Sequence, residues 1–295
     1  MSKYYYTIYG LNIESEVELS ELIKKDNRMP NIDVSIYMGE ELEDLIGKRW
    51  KYKNKQDISV SVNNIAKYTM INGNRININP CKGANISDIK SFLYGWIFSI
   101  ISIQRGNIPL HGTSVVNNDE CLIITGDSKS GKSTLASALI NQKYKFLTDD
   151  ISVIDFGLNN KISVNPGFPY QKIRKDILDK LDYKIEDVTE SKGNRLDISM
   201  NDHFINEKMN LKAIIEINVG DTDNVEIKEV FGNDKLRTIL DNIFFGKIEK
   251  AFGMEQKYFE KCMNISKSIP VYRIIRPKEK FTVNEQIDLL KKVVV

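Results

Sequence analysis

The sequence predicts a mixed α/β fold. An α/β core over residues 109–295 follows a smaller β-rich accessory or recognition domain over residues 1–82, and a helix over residues 83–108 connects them. Two observations predict this. Residues 1–82 carry runs of β-branched and aromatic residues broken by turn chemistry. From Pro109 onward the order becomes strand, glycine-rich loop, helix, strand, which is the order of a βαβ unit.

In the first region, residues 4–13, 32–38, 58–62 and 68–78 read as strands, with turns at Asn63-Asn64 and Asn72-Gly73-Asn74. Residues 18–25 read as a short helix. After Pro80-Cys81-Lys82-Gly83, either Asn85 or Ser87 is placed to cap a helix running to about Gln104. Ile89, Phe92, Leu93, Trp96, Ile97 and Ile100 share one face of that helix, so it reads as buried. The apolar stretch 92–103 within it is too short to span a bilayer.

In the second region, residues 113–116 and 121–125 read as strands joined by the turn Asn117-Asn118-Asp119-Glu120. A helix over 133–142 and strands over 145–147 and 151–155 follow. Strands are expected over 213–218, 225–230 and 271–275, and helices over 172–180, 234–243 and 283–294.

Composition narrows the function classes. The 295 residues are 41% hydrophobic and 28% charged, an ordinary globular balance. The formal charge of +2 calls for neither a nucleic-acid partner nor an acidic membrane. Cys81, Cys121 and Cys262 are an odd count without a C-x-x-C pair, which fits no closed disulfide framework and points to a reducing cytoplasm. The N-terminus shows no signal-peptide pattern. Of the two histidines, His203 reads as surface or structural.

The central motif is Gly126-Asp127-Ser128-Lys129-Ser130-Gly131-Lys132-Ser133-Thr134, which matches G-x-x-x-x-G-K-[ST]. The glycines allow the backbone to turn its N–H groups inward as an anion nest, and the following helix adds its positive end. Lys132 is placed to reach the β- and γ-phosphates of ATP, and the Ser133 hydroxyl to ligate Mg²⁺. The motif sits between an apolar strand and a helical pattern, the context it requires.

Asp149-Asp150 closes the segment Tyr144-Lys145-Phe146-Leu147-Thr148. Beside a phosphate loop, one carboxylate would orient Mg²⁺ and the other would accept a proton from an attacking hydroxyl. Adjacent residues on an extended chain point opposite ways, so the pair need not share a task. His111-Gly112 lies one hairpin before the loop, near the loop end of the sheet if the two strands pair.

Together, His111-Gly112, the loop and Asp149-Asp150 resemble the catalytic domain of bacterial HPr kinase/phosphorylase, a serine kinase with a phosphoenolpyruvate-carboxykinase-like core and a mixed sheet. The resemblance covers about 45 residues, from Leu110 to Asp155. It implies that Asp150 is the proton acceptor, that His111 and Lys132 act in the site and that Ser133 faces Mg²⁺, which leaves Asp149 as the carboxylate of the pair that orients the metal. Lys129 stands where the family has glycine, and the arginine loop of the phosphorylase is absent, which points to a one-way kinase.

The chain also resembles HPr-kinase-like proteins that phosphorylate a serine of lasso-type precursor peptides. That likeness rests on residues 6–16, Asn165-Pro166-Gly167-Phe168-Pro169 and Lys192-Gly193-Asn194-Arg195-Leu196. It implies substrate or phosphate contacts from Lys192 and Arg195. The expectation is therefore an ATP/Mg²⁺-dependent kinase for a serine of a peptide or protein, with a homo-oligomer expected by family analogy. A small-molecule kinase of the same core and a nucleotide-sensing regulator without catalysis are the alternatives.

Overall fold

A computed structural model describes residues 3–26, 29–39, 50–157, 161–181, 188–190, 195–244 and 253–294. The chain divides into two compact units, Met1–Pro109 with Phe244–Glu255, and Leu110–Ile243 with Gln256–Val295. The chain therefore passes between units three times, at 109/110, 243/244 and 255/256.

The first unit is built on one mixed sheet. Its strands are β1 (Tyr4–Ile8), β2 (Leu11–Ser15), β3 (Ile23–Lys25), β4 (Val34–Met38), β5 (Trp50–Asn54), β6 (Asp57–Val62), β7 (Ala66–Ile71) and β8 (Arg75–Pro80), in the order β3-β1-β2-β4-β8-β7-β6-β5. The run read as one strand over 4–13 is a hairpin, because Tyr9 and Gly10 both take positive φ, 51° and 75°, and reverse the chain. Residues 18–25 are not a helix. Val17, Leu19 and Leu22 are buried at spacings of two and three, and the segment ends as β3 against β1.

Among its described residues, this unit carries a helix from Ile86 to Gln104 as α1 (Ile86–Phe92), a π-helical turn (Leu93–Ile97) and α2 (Phe98–Gln104). Asn85 is the cap, its side chain accepting from the Ser87 N–H at 2.9 Å. Tyr68 donates to the Ile89 carbonyl and Tyr9 to the Tyr94 carbonyl, so the helix lies within the first unit. By length and composition the 19 residues from Ile86 to Gln104 are long and apolar enough to cross a membrane, and 67% of that span is buried in the protein, as in a core helix. The helix is thus longer than the apolar stretch 92–103 read from the sequence, because it also includes the first turns with Asp88 and Lys90.

The second unit is also mixed α/β. Its strands are β9 (Ile108–Asn117), β10 (Glu120–Gly126), β11 (Lys145–Thr148), β12 (Ile151–Phe156), β13 (Ile162–Val164), β17 (Met209–Gly220), β18 (Glu226–Val230) and β19 (Val271–Pro277). A separate small sheet joins β14 (Tyr170–Arg174), β16 (Arg195–Ser199) and β15 (Val188–Glu190). The helices are α3 (Lys132–Asn141), α4 (Lys175–Leu181), α5 (Gly232–Asp241), α6 (Gln256–Ser268) and α7 (Val283–Val294).

β10 and β11, on either side of α3, both pair antiparallel with β9, so they run in the same direction with β9 between them. The parallel neighbour of β10 is β17, which in turn lies parallel to β19. One face of this sheet packs Ile124, Ile215, Ile217 and Ile274 against Leu135 and Leu139 of α3 and Ile287 and Leu290 of α7. Residues 172–180 were expected to be wholly helical. Their first part continues β14, because Tyr170 through Arg174 pair with β16, and the helix α4 starts only at Lys175.

Candidate functional site

Three neighbouring strands place the sequence-predicted residues at one end of the sheet in the second unit. Gly112 of β9 stands opposite Thr125 of β10, one residue before Gly126, and its N–H donates to the Asp150 carbonyl at 3.1 Å. The loop start, His111-Gly112 and Asp149-Asp150 therefore lie in a row across strands spaced about 4.8 Å apart. That row requires glycine at 112, where a Cβ would meet the Ile124 carbonyl oxygen at 2.6 Å.

The loop between β10 and α3 is shaped by its glycines. Gly126 has φ 130° and Gly131 φ 112°, and a Cβ on Gly126 would meet the Ile217 carbonyl oxygen at 2.3 Å. Lys129 also takes positive φ, 69°, so the backbone conformation a glycine would favour survives with lysine in its place. The Ser130 N–H closes a turn onto the Asp127 carbonyl at 3.1 Å. The Ser130 hydroxyl is buried without a hydrogen-bond partner. Lys132, at the first turn of α3, folds its ammonium back onto the Gly126 and Asp127 carbonyls at 2.8 and 2.9 Å. Ser133 and Thr134 follow in the same first turn, both partly exposed.

The two aspartates have separate surroundings, because they sit in the bend between β11 and β12 and Asp150 is left-handed rather than extended. Asp149 is gripped at both carboxylate oxygens. The Thr113 hydroxyl donates to Oδ1 at 2.5 Å and the Lys172 backbone N–H to Oδ2 at 2.9 Å. Burial raises its pKa, opposed by the Thr113 hydrogen bond. Asp150 is exposed, with its backbone held at φ 66°. His111 Nδ1 lies 3.1 Å from the Asp150 carbonyl oxygen and 3.5 Å from its carboxylate Oδ1. Burial lowers the His111 pKa, the Asp150 charge pushes it back up, and the Lys132 charge lowers it again. The histidine thus feels both the aspartate and the loop lysine.

Sequence reasoning missed the residues that support this row. Asn242 accepts the His111 N–H at 2.8 Å through its carbonyl, and the Thr125 hydroxyl lies 2.6 Å from the His111 carbonyl oxygen. Arg276 of β19 reaches the loop carbonyls, and Thr113 and Lys172 position Asp149. Of the two residues named as substrate contacts, Lys192 lies outside the described residues. The backbone of Arg195 begins β16 opposite Arg174.

No family model and no curated protein matches the chain. A solved structure does. The HPr(Ser) kinase/phosphatase from Coxiella burnetii is similar at 15% sequence identity and a TM-score of 0.31, over 62% of this chain and 93% of that one. That likeness is distant, and the chemistry rests on the site's own residues.

Proposed function

We propose that the protein is an ATP- and Mg²⁺-dependent kinase that transfers the γ-phosphate to a serine-type hydroxyl of a peptide or protein, a ribosomally made precursor peptide being the acceptor class we favour. The observation that carries this reading is the row of Gly126, His111 and Asp150 across adjacent strands, with Lys132 opening the helix that follows the loop.

The residues fit a bound triphosphate. The loop has glycines at positive φ at both ends, an orphaned buried hydroxyl at Ser130, and a lysine ammonium that donates to the Gly126 and Asp127 carbonyls. Phosphate oxygens would replace those carbonyls as stronger, charged acceptors. Mg²⁺, when bound, would neutralise charge across the phosphates, and the Ser133 hydroxyl and Asp149 are the groups of this chain that would hold it. The Asp149 carboxylate, with about four acceptor sites, keeps one beyond its bonds to Thr113, Lys172 and the Asp150 N–H.

Asp150 then takes the proton of the acceptor hydroxyl. The acceptor oxygen forms its bond to the γ-phosphorus as the bond from that phosphorus to the bridging oxygen breaks, and ADP leaves with the electron pair. His111 steadies Asp150 through Nδ1 and stays neutral near pH 7, because burial holds its pKa below the ordinary value. Loose phosphoryl transfer asks more of orientation than of basicity, which suits a carboxylate in an exposed position. Lys192 and Arg195 belong to this reading as acceptor-side contacts.

The test is incubation with labelled ATP, Mg²⁺ and candidate peptides. Asp150→Ala is expected to lose phosphate transfer and keep ATP binding, and Lys132→Ala to lose both. Full turnover by the Asp150 variant would sink the base assignment. Labelling of a metabolite with no peptide labelled would replace the peptide acceptor with a small molecule. Binding without turnover on any acceptor would favour a sensor.

A further inference from the structure

Arg276 lies 146 residues beyond Ser130 of the phosphate loop, near the end of β19. Its guanidinium donates from Nε to the Ser130 carbonyl at 2.7 Å, from Nη2 to the Lys129 carbonyl at 3.3 Å, and from Nη1 to its neighbour's carbonyl on Pro277 at 2.9 Å. Nothing in the fold of β19 itself requires the first two bonds. We propose that Arg276 is a positioning residue for the phosphate nest, holding two loop carbonyls outward so that the Gly131 N–H faces the nucleotide while the Ser130 N–H stays in its turn onto Asp127.

The geometry follows from the peptide plane. In a trans peptide the C=O and the following N–H point in opposite directions. Fixing the Ser130 carbonyl on the Arg276 side turns the Gly131 N–H the other way. Fixing the Lys129 carbonyl likewise sets the Ser130 N–H, which lies against the Asp127 carbonyl at 3.1 Å. The guanidinium also packs beside Gly131, where an added Cβ would stand 3.5 Å from Nε. Lys129 makes such a tie necessary. With a side chain at φ 69° the loop conformation is disfavoured locally, and a charged fork spanning two successive carbonyls offsets that.

The proposal rests on the nucleotide-binding reading above. It is tested by calorimetric titration of Mg-ATP and of inorganic pyrophosphate into the full chain, with melting curves without ligand alongside. Arg276→Gln, which removes the fork, is expected to weaken both ligands by about tenfold or more. Arg276→Lys, which keeps the charge but not the two-carbonyl reach, is expected to weaken them nearly as much. Arg276→Lys binding like the parent shows that charge alone matters and overturns the proposal. A variant that melts lower but binds both ligands with parental affinity below its melting point also overturns it, leaving a purely structural role. If Arg276→Gln fails to fold, Arg276→Lys decides. If the parent chain binds neither ligand, the nucleotide reading falls first and this inference with it.

Discussion

At Asp149 burial and hydrogen bonding pull in opposite directions. Burial dominates, so the folded pKa lies above its ordinary carboxylate value. A raised carboxyl pKa contributes stability that is fully present below the unfolded pKa and is lost as pH rises through the folded pKa. Asparagine at this position cannot ionise, and its carbonyl and amide can still meet the Lys172 N–H and the Thr113 hydroxyl. Asp149→Asn is therefore expected to gain stability relative to the parent as pH climbs from about 4 to neutral, while losing Mg²⁺-dependent phosphate transfer. Urea denaturation at the two ends of that range checks it. An unchanged difference between the chains would show that Asp149 carries no such burial penalty. The loop, His111 and the aspartate pair were legible because each is a short contiguous motif. Arg276, in Arg276-Pro277-Lys278, and Asn242, which follows α5, carry no local signature. Their contacts with the loop and with His111 exist only after distant strands and helices have met.

Elements were legible where turn chemistry was explicit. The turn at Asn118 and Asp119 has φ of 49° and 62°, the two-residue hairpin geometry with both central residues left-handed. It sets the β9–β10 register that brings Gly112 opposite Thr125. Asp119→Gly would relieve the left-handed cost there, and a gain of about 0.5–1 kcal/mol is expected from chemical denaturation, with ATP binding unchanged. A loss of stability would mean that the Asp119 side chain makes a contact outweighing its backbone. Where turn signals were weak, periodicity misled. Tyr9-Gly10 hid a reversal inside an apolar run, and residues 18–25 offered helix-compatible composition but are drawn into a turn and the short strand β3 paired with β1. The second half of 172–180 does form a helix. Its first half is drawn into β14 by pairing with β16, a partner more than twenty residues away in sequence that no local window contains.

On the scale of the whole molecule, the unit changes at 109/110, and chain order and unit membership part company later. Phe244–Glu255 belongs with Met1–Pro109, through contacts such as the Phe244 N–H to the Pro109 carbonyl at 2.7 Å and the Lys55–Glu255 ion pair at 3.5 Å. No composition change marks that return, so a reading along the chain assigned residues 109–295 to a single core. A fragment of residues 110–295 keeps 244–255 without the rest of their unit, and it is expected to melt below the full chain. Thermal circular dichroism measures this, and equal midpoints would show that 244–255 is indifferent to the missing residues. The same threading bears on descent. Because the second unit is encoded on both sides of a piece of the first, a single recombination at codon 109 cannot exchange one unit for another cleanly.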